Sequence, residues 1–333
     1  MNKPYLILLA LLSWTSIAFG QKKVVTSSAS MIWDMVANIA GDKVDNRLIV
    51  PIGGDPHLHK PIPADAQMVA ESDIIFINGL TFEGWITKLV ENSGTKGKTI
   101  VVTEGLNAIS SSEYENSYDP HAWMDVSFAQ TYISNILKGL KELDPANADF
   151  YQANYQNYSK RLEDLDAYIQ KRVEEIPEEQ RLLVTSHDAF AYYGRRYGIK
   201  VEGIVGISTE SEARTSDMVR ISQAIKDAGV PAIFVETTIN PKLINQIAKD
   251  NNVEIGGALF ADSIGEKGSG GNSYYDMMKS NTDKIVNALI KKKPHSHAHE
   301  AEASSGRSKL YAYLGLGAIM ILGLILLILK MNK

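Results

Sequence analysis

The chain is 333 residues long, with no cysteine, seven histidines and a formal net charge of -5. Without cysteine there are no disulfides, thiolate nucleophiles, Cys-ligated zinc sites or iron–sulfur clusters. The mild acidity supplies no basic excess for nucleic acid, and the length suits one large or two medium domains.

The N-terminus reads as a secretory signal peptide over residues 1–20. Lys3 precedes an apolar run from Tyr5 to Leu12, and Ala18-Phe19-Gly20 places small residues before a cut at Gln21. No cysteine stands at that cut, which excludes lipid attachment there.

A first α/β unit is expected over residues 21–143. Strands are predicted at 23–27, 48–52, 74–78 and 99–103, with helices at 29–40, 64–70, 82–90 and 126–140 between and after them. Short, non-alternating apolar strands separated by helices indicate a parallel sheet covered on both faces. A linking helix of about 32 residues is expected over 144–176. Asp144 and Pro145 start it, and Tyr151, Tyr155, Tyr158, Leu162, Leu165 and Ile169 recur at intervals of three and four. A helix so far beyond the usual length suits a strut between two lobes. A second α/β series fills 177–291, with strands at 182–185, 201–206, 232–235 and 255–259.

Residues 292–309 read as a polar juxtamembrane linker. The uncharged run 310–329 reads as a transmembrane helix about 30 Å long, and 330–333 as a cytoplasmic tail. The expected fold is therefore α/β: two lobes with parallel sheets flanked by helices, joined by a long rigid helix, plus one C-terminal transmembrane helix. The body is expected outside the cytoplasmic membrane of a bacterial cell envelope, anchored by that helix.

His57 follows the strand expected at 48–52, His121 precedes a helix, His187 stands at the end of the strand 182–185, and Asp262 follows the strand 255–259. Loops at the C-terminal edge of parallel strands converge, and two of these residues come from each unit. Their shared point then falls in the cleft between lobes. Three imidazoles and one carboxylate suit a borderline divalent cation. Ser186-His187-Asp188 is no triad, because adjacent side chains point apart. No Gly-x-Ser-x-Gly turn, dinucleotide fingerprint or P-loop is present. No enzyme, cofactor or catalytic residue is expected.

These residues stand in Asp55-Pro56-His57, Asp119-Pro120-His121-Ala122-Trp123, Ser186-His187-Asp188-Ala189-Phe190 and Ala261-Asp262-Ser263-Ile264-Gly265. With Gly206-Ile207-Ser208-Thr209-Glu210-Ser211-Glu212 and Phe234-Val235-Glu236, they resemble the metal-binding solute receptors of bacterial zinc and manganese ABC importers, the cluster 9 group. The resemblance implies two lobes on a long helix, a metal held between them by His57, His121, His187 and Asp262, and delivery to an ABC permease. The expected protein is a monomeric ectodomain that binds no nucleic acid. It also implies an alternative, since some relatives were first regarded as adhesins: a cell-surface adhesin or interaction protein with a structural metal.

Zn2+ is the favoured cargo because the third ligand is His187, where manganese receptors tend to carry a glutamate. Asn272-Ser273-Tyr274-Tyr275-Asp276-Met277-Met278 points instead to Mn2+. His59 is a candidate accessory ligand or a plain polar loop residue. His295, His297 and His299 alternate, so an extended chain would turn all three to one side as a weak capture site or as part of a polar linker.

Overall fold

The computed structural model describes residues 21–111, 117–209 and 214–291. The expected signal peptide, the linker with His295, His297 and His299, the span 310–329 and the tail 330–333 lie outside the described residues.

The first lobe alternates strand and helix: β1 (Lys23–Ser27), α1 (Ser30–Ala40), β2 (Val44–Leu48), α2 (Pro63–Ala70), β3 (Ile74–Ile77), α3 (Ile86–Ser93) and β4 (Lys98–Val101). The strands form one parallel sheet in the order β2-β1-β3-β4, with Val25 opposite both Asn46 and Ile74. The second strand lies four residues before the expected 48–52. β2 is an edge strand, so it carries Asp45, Asn46 and Arg47 and lacks an apolar signature. Ile49 and Val50 are buried all the same, in a loop whose amides bond to the carbonyls of Ser27 and Ser28 at 3.0 and 3.2 Å.

After α4 (Val126–Leu143) comes the connecting helix α5 (Ala148–Val173). It has 26 residues, fewer than expected, because Pro145–Asn147 forms a separate 3-10 turn. Asp144 fixes that turn by accepting hydrogen bonds from Asn147 Nδ2 and Tyr151 Oη at 2.6 and 2.7 Å. The stripe Tyr151, Tyr158, Leu162, Leu165, Ile169 and Val173 is buried. It lies against α1 and α4 of the first lobe and against α6 (Ala191–Tyr197) and α9 (Tyr274–Leu289) of the second.

The second lobe also contains β5 (Leu182–His187), β6 (Lys200–Val205), α7 (Thr215–Ala228), β7 (Ala232–Glu236), α8 (Lys242–Asn251) and β8 (Glu254–Leu259). β5 pairs with β6 and β7 with β8, both in parallel, and β5 lies beside β7. Both lobes and α5 belong to one compact unit ending at Lys291, with one main apolar cluster running through all three.

The expected transmembrane helix is corrected. Among the described residues no helix is long and apolar enough to cross a membrane. The longest, α5, carries Lys160, Arg161, Glu163 and Asp164 within one stretch. The fold seen is the two-lobed α/β body with its connecting helix, and the expected fold, membrane anchor and anchored localisation are corrected to that body, the span 310–329 lying outside the described residues.

A buried carboxyl group within α1 joins the lobes. Asp34 Oδ2 accepts the Tyr274 amide at the first turn of α9 at 2.9 Å, and also faces Asn38. Burial pushes its pKa from 3.8 up to about 6, with the amide bond opposing and Asp276 adding to the rise. The folded state therefore binds this proton more tightly than the unfolded chain. Ionisation destabilises the fold progressively between pH 3.8 and 6, by on the order of 3 kcal/mol once complete. Thermal unfolding from pH 5 to 7.5 should show Asp34→Asn gaining several degrees relative to the parent as pH rises. A constant offset would contradict this origin.

Candidate metal centre

The four residues expected to converge do so. One donor atom each from His57, His121, His187 and Asp262 lies within 4.8 Å of all the others. His57 Nε2 and His121 Nε2 are 3.3 Å apart, His121 Nε2 and Asp262 Oδ1 3.5 Å, and His187 Nε2 and Asp262 Oδ2 3.3 Å. His121, His187 and Asp262 are fully buried, and His57 is partly exposed. Beside His57 opens a cleft of about 540 Å³ lined by His59, Lys60, Phe82, Trp85 and Ser208.

Strand order explains the convergence. In β2-β1-β3-β4 the order reverses between β1 and β3, and in the second lobe the chain departs from β5 in both directions. Crevices form at such points beyond the carboxyl ends of parallel strands. His187 is the last residue of β5, not a loop residue as expected, and Glu236 ends neighbouring β7. His121 begins the 3-10 turn Ala122–Met124, and His57 follows β2 by nine residues, in a turn where Asp55 Oδ1 accepts its amide at 2.8 Å. Asp55 Oδ2 accepts the Thr209 hydroxyl at 2.8 Å, and burial, with the charge of Asp262, raises the Asp55 pKa.

Two imidazoles have carboxylates behind them. Asp119 Oδ1 lies 2.8 Å from His121 Nδ1 and accepts the His121 amide at 2.9 Å. Glu236 Oε1 accepts the His187 amide at 2.9 Å while Oε2 lies 2.5 Å from His187 Nδ1. Such partners fix ring orientation, turn Nε2 toward the centre and raise its basicity. Both acids stand within the family-like motifs, which assign neither of them a role. The signals were there, since Asp119 stands two residues before its histidine and Glu236 at the end of an apolar strand.

The electrostatics suit a cation. Burial pushes the His57 pKa down to about 3, leaving a neutral ring with a free lone pair. Burial opposes charge on His187 and Asp262 too. Glu236 and Asp262 nevertheless hold the His187 pKa well above the usual value, and His187 holds Asp262 below the carboxylate range. A cation entering the site takes the place of that proton. Nε2 of His187 and both oxygens of Asp262 lack a hydrogen-bond partner among the described residues despite their short separations. One donor atom from each of these two residues joins one from His57 and one from His121 in the group that lies within 4.8 Å of one another.

A strained loop walls the site. Gly79, Leu80 and Thr81 have φ of 79, 53 and 67°, a left-handed run rare for the last two. A Cβ on Gly79 would also meet Val101 at 2.6 Å. Buried Glu83 holds the loop by accepting from Ser28 Oγ at 2.5 Å, from the Asn78 amide at 2.7 Å and from the Gly79 amide at 3.1 Å. Phe82 thereby stands edge-on to His57, with centroids 4.8 Å apart. His59 does not join the four donors. Its Nε2 lies 2.9 Å from Asp65 Oδ2 and its ring packs on Trp85.

Glu236→Gln should lower divalent-metal affinity by about 10- to 100-fold, because an amide can still accept the His187 amide but carries no charge to set against the ring at Nδ1. Titration of the purified variant checks this, and parent-like affinity would deny Glu236 its role.

Residues 24–288 match the family model described as "Zinc-uptake complex component A periplasmic". The manganese ABC transporter substrate-binding lipoprotein PsaA of Streptococcus anginosus is 38% identical over 280 residues, covering 82% of this chain and 91% of that protein. The manganese-binding lipoprotein MntA of Halalkalibacterium halodurans is 37% identical over 270 residues, with 81% and 89% covered. Among solved structures, the periplasmic zinc-binding protein TroA of Treponema pallidum superposes with a TM-score of 0.78 at 33% identity, over 81% of this chain and 100% of that one. A manganese-bound periplasmic metal-binding protein from Candidatus Liberibacter asiaticus gives 0.74 at 33%, over 80% and 100%.

Proposed function

The chain belongs to the family of periplasmic zinc-uptake components, and from that membership we propose that His57, His121, His187 and Asp262 are the ligands with which it captures zinc. It is the extracytoplasmic metal-binding component of an ABC importer and delivers its ion to a membrane permease. It is a receptor, as its family is, and not an enzyme. The observation that carries the ligand assignment is the convergence of the four donors within 4.8 Å, with His187 Nε2 and both Asp262 oxygens buried and unpartnered.

The spacing admits a tetrahedral zinc, whose donors at about 2.0–2.1 Å stand about 3.3–3.4 Å from one another. Three of the separations here are 3.3, 3.5 and 3.3 Å, the two to Asp262 made by different oxygens, and the four donors together lie within 4.8 Å. Three imidazoles also favour zinc over manganese on intrinsic affinity. Manganese is the second reading. The curated relatives named above are manganese proteins, and Asp262 has two free oxygens with which to raise the coordination number.

Elemental analysis and competitive titration of the purified protein should give one zinc per chain, bound at least about 100-fold more tightly than manganese. His187→Ala should lower zinc affinity by about 100-fold or more. A manganese preference would transfer the site to the second reading. No affinity for either ion would sink the receptor assignment.

A further inference from the structure

The loop that carries Asp262 belongs to the second lobe by sequence but is fastened to the first. On one side of Asp262, Trp123 Nε1 donates to the Ala261 carbonyl at 3.1 Å. On the other side, the Gly53 amide donates to Ser263 Oγ at 2.7 Å, and the Ile264 amide donates to Ser30 Oγ at 3.0 Å. The two hydroxyl oxygens are 3.0 Å apart, and Ser263 Oγ also lies 2.9 Å from the Ile264 carbonyl.

One arrangement of protons satisfies every group. Ser30 accepts from Ile264 and donates to Ser263, while Ser263 accepts from Ser30 and Gly53 and donates to the Ile264 carbonyl. Ser30 and Ser263 are 2% and 1% exposed, so nothing in water replaces a lost partner cheaply. Helix α9, which follows this loop, is tied to the first lobe as well. Its Tyr274 donates through its hydroxyl to the Trp123 carbonyl at 2.6 Å and through its amide to Asp34.

His187 is anchored differently. Its amide and Nδ1 both engage Glu236 of its own lobe. The nearby tie from α6, where the Tyr192 hydroxyl donates to the Asp119 carbonyl at 2.7 Å, lies five residues further along the chain.

We propose that Ser263, with Ser30, is a positioning residue that fixes Asp262 to the first lobe, so that His57, His121 and Asp262 stand as a preassembled three-donor half-site to which the second lobe adds His187. An arriving ion then meets a formed cup open on one side, and release needs the displacement of one imidazole. This rests on the receptor reading above and adds to it the order in which donors engage.

Hydrogen exchange on the full chain, metal-free and zinc-loaded, tests it. The Gly53 and Ile264 amides should keep their protection within about twofold when zinc is removed, while the segment 184–188 should exchange about tenfold faster or more. Ser263→Ala should speed zinc dissociation about tenfold, and Ser263→Thr, which keeps the hydroxyl, should restore the parent rate. Loss of protection at Gly53 and Ile264 in step with 184–188 would overturn the proposal, as would a parent-like dissociation rate in Ser263→Ala. A chain that takes up neither zinc nor manganese would defeat the receptor reading itself, whereas zinc uptake with a broken seam would defeat only this inference.

Discussion

Everything about the cleft follows from having to bury three carboxylates beside three imidazoles. Asp119, Glu236 and Asp262 are each at most 2% exposed, and the ion pairs described for them are all with histidine rings. A buried carboxylate is costly unless a positive charge or several donors compensate it. The imidazoles supply only part of that. His57 is kept neutral by its surroundings, and the oxygens of Asp262 have no hydrogen-bond partner. A divalent cation at the shared point completes the arrangement, which makes binding and local stability one quantity.

The scaffold meets this demand by opposing two parallel sheets at their carboxyl edges. Each lobe presents its crevice where strand order reverses, so a site histidine stands there together with its backing acid. β5 and β7 do this with His187 and Glu236. In the first lobe, the loops after β1 and β3 meet through Ser28 and Glu83, which holds Phe82 against the His57 ring. The left-handed backbone at Leu80 and Thr81 persists because the Glu83 carboxylate takes up the amides at its base. Rigidity near the ion is thus built from buried acids on both sides of the cleft.

Much of this was legible in the residues, and the gaps have physical causes. The alternation of short apolar strands and helices gave the layer order, and placing His57, His121, His187 and Asp262 near strand ends gave their convergence. β2 was misplaced because an edge strand needs no apolar pattern, while the buried loop after it has one. The connecting helix was read too long because its apolar rhythm runs past Val173 and because Pro145 starts a separate 3-10 turn. Asp119 and Glu236 lay within quoted motifs, but backing a histidine is a relation between strands and leaves no periodic trace. His59 resembled a ligand by proximity in sequence, and only the fold shows its ring turned toward Asp65 and Trp85. The seam between Ser30 and Ser263 joins residues 233 apart, a separation that no local pattern encodes.

Those long-range ties limit how the protein can let its ion go. One apolar cluster runs through both lobes and α5, with α1, α4, α6 and α9 all packed on that helix. Parting the lobes widely would expose this surface at roughly 25 cal/mol per Å², so even a few hundred Å² would cost several kcal/mol. It would also break the buried bonds at Ser30, Asp34 and Trp123, where each unsatisfied group adds about 1–3 kcal/mol. Moving His187 leaves those ties to the first lobe intact, since its own hydrogen bonds, to Glu236 and Thr185 and along β6, lie within the second lobe. The less costly path from bound to free is therefore a local movement of one donor edge, on a frame that keeps the other three donors in register.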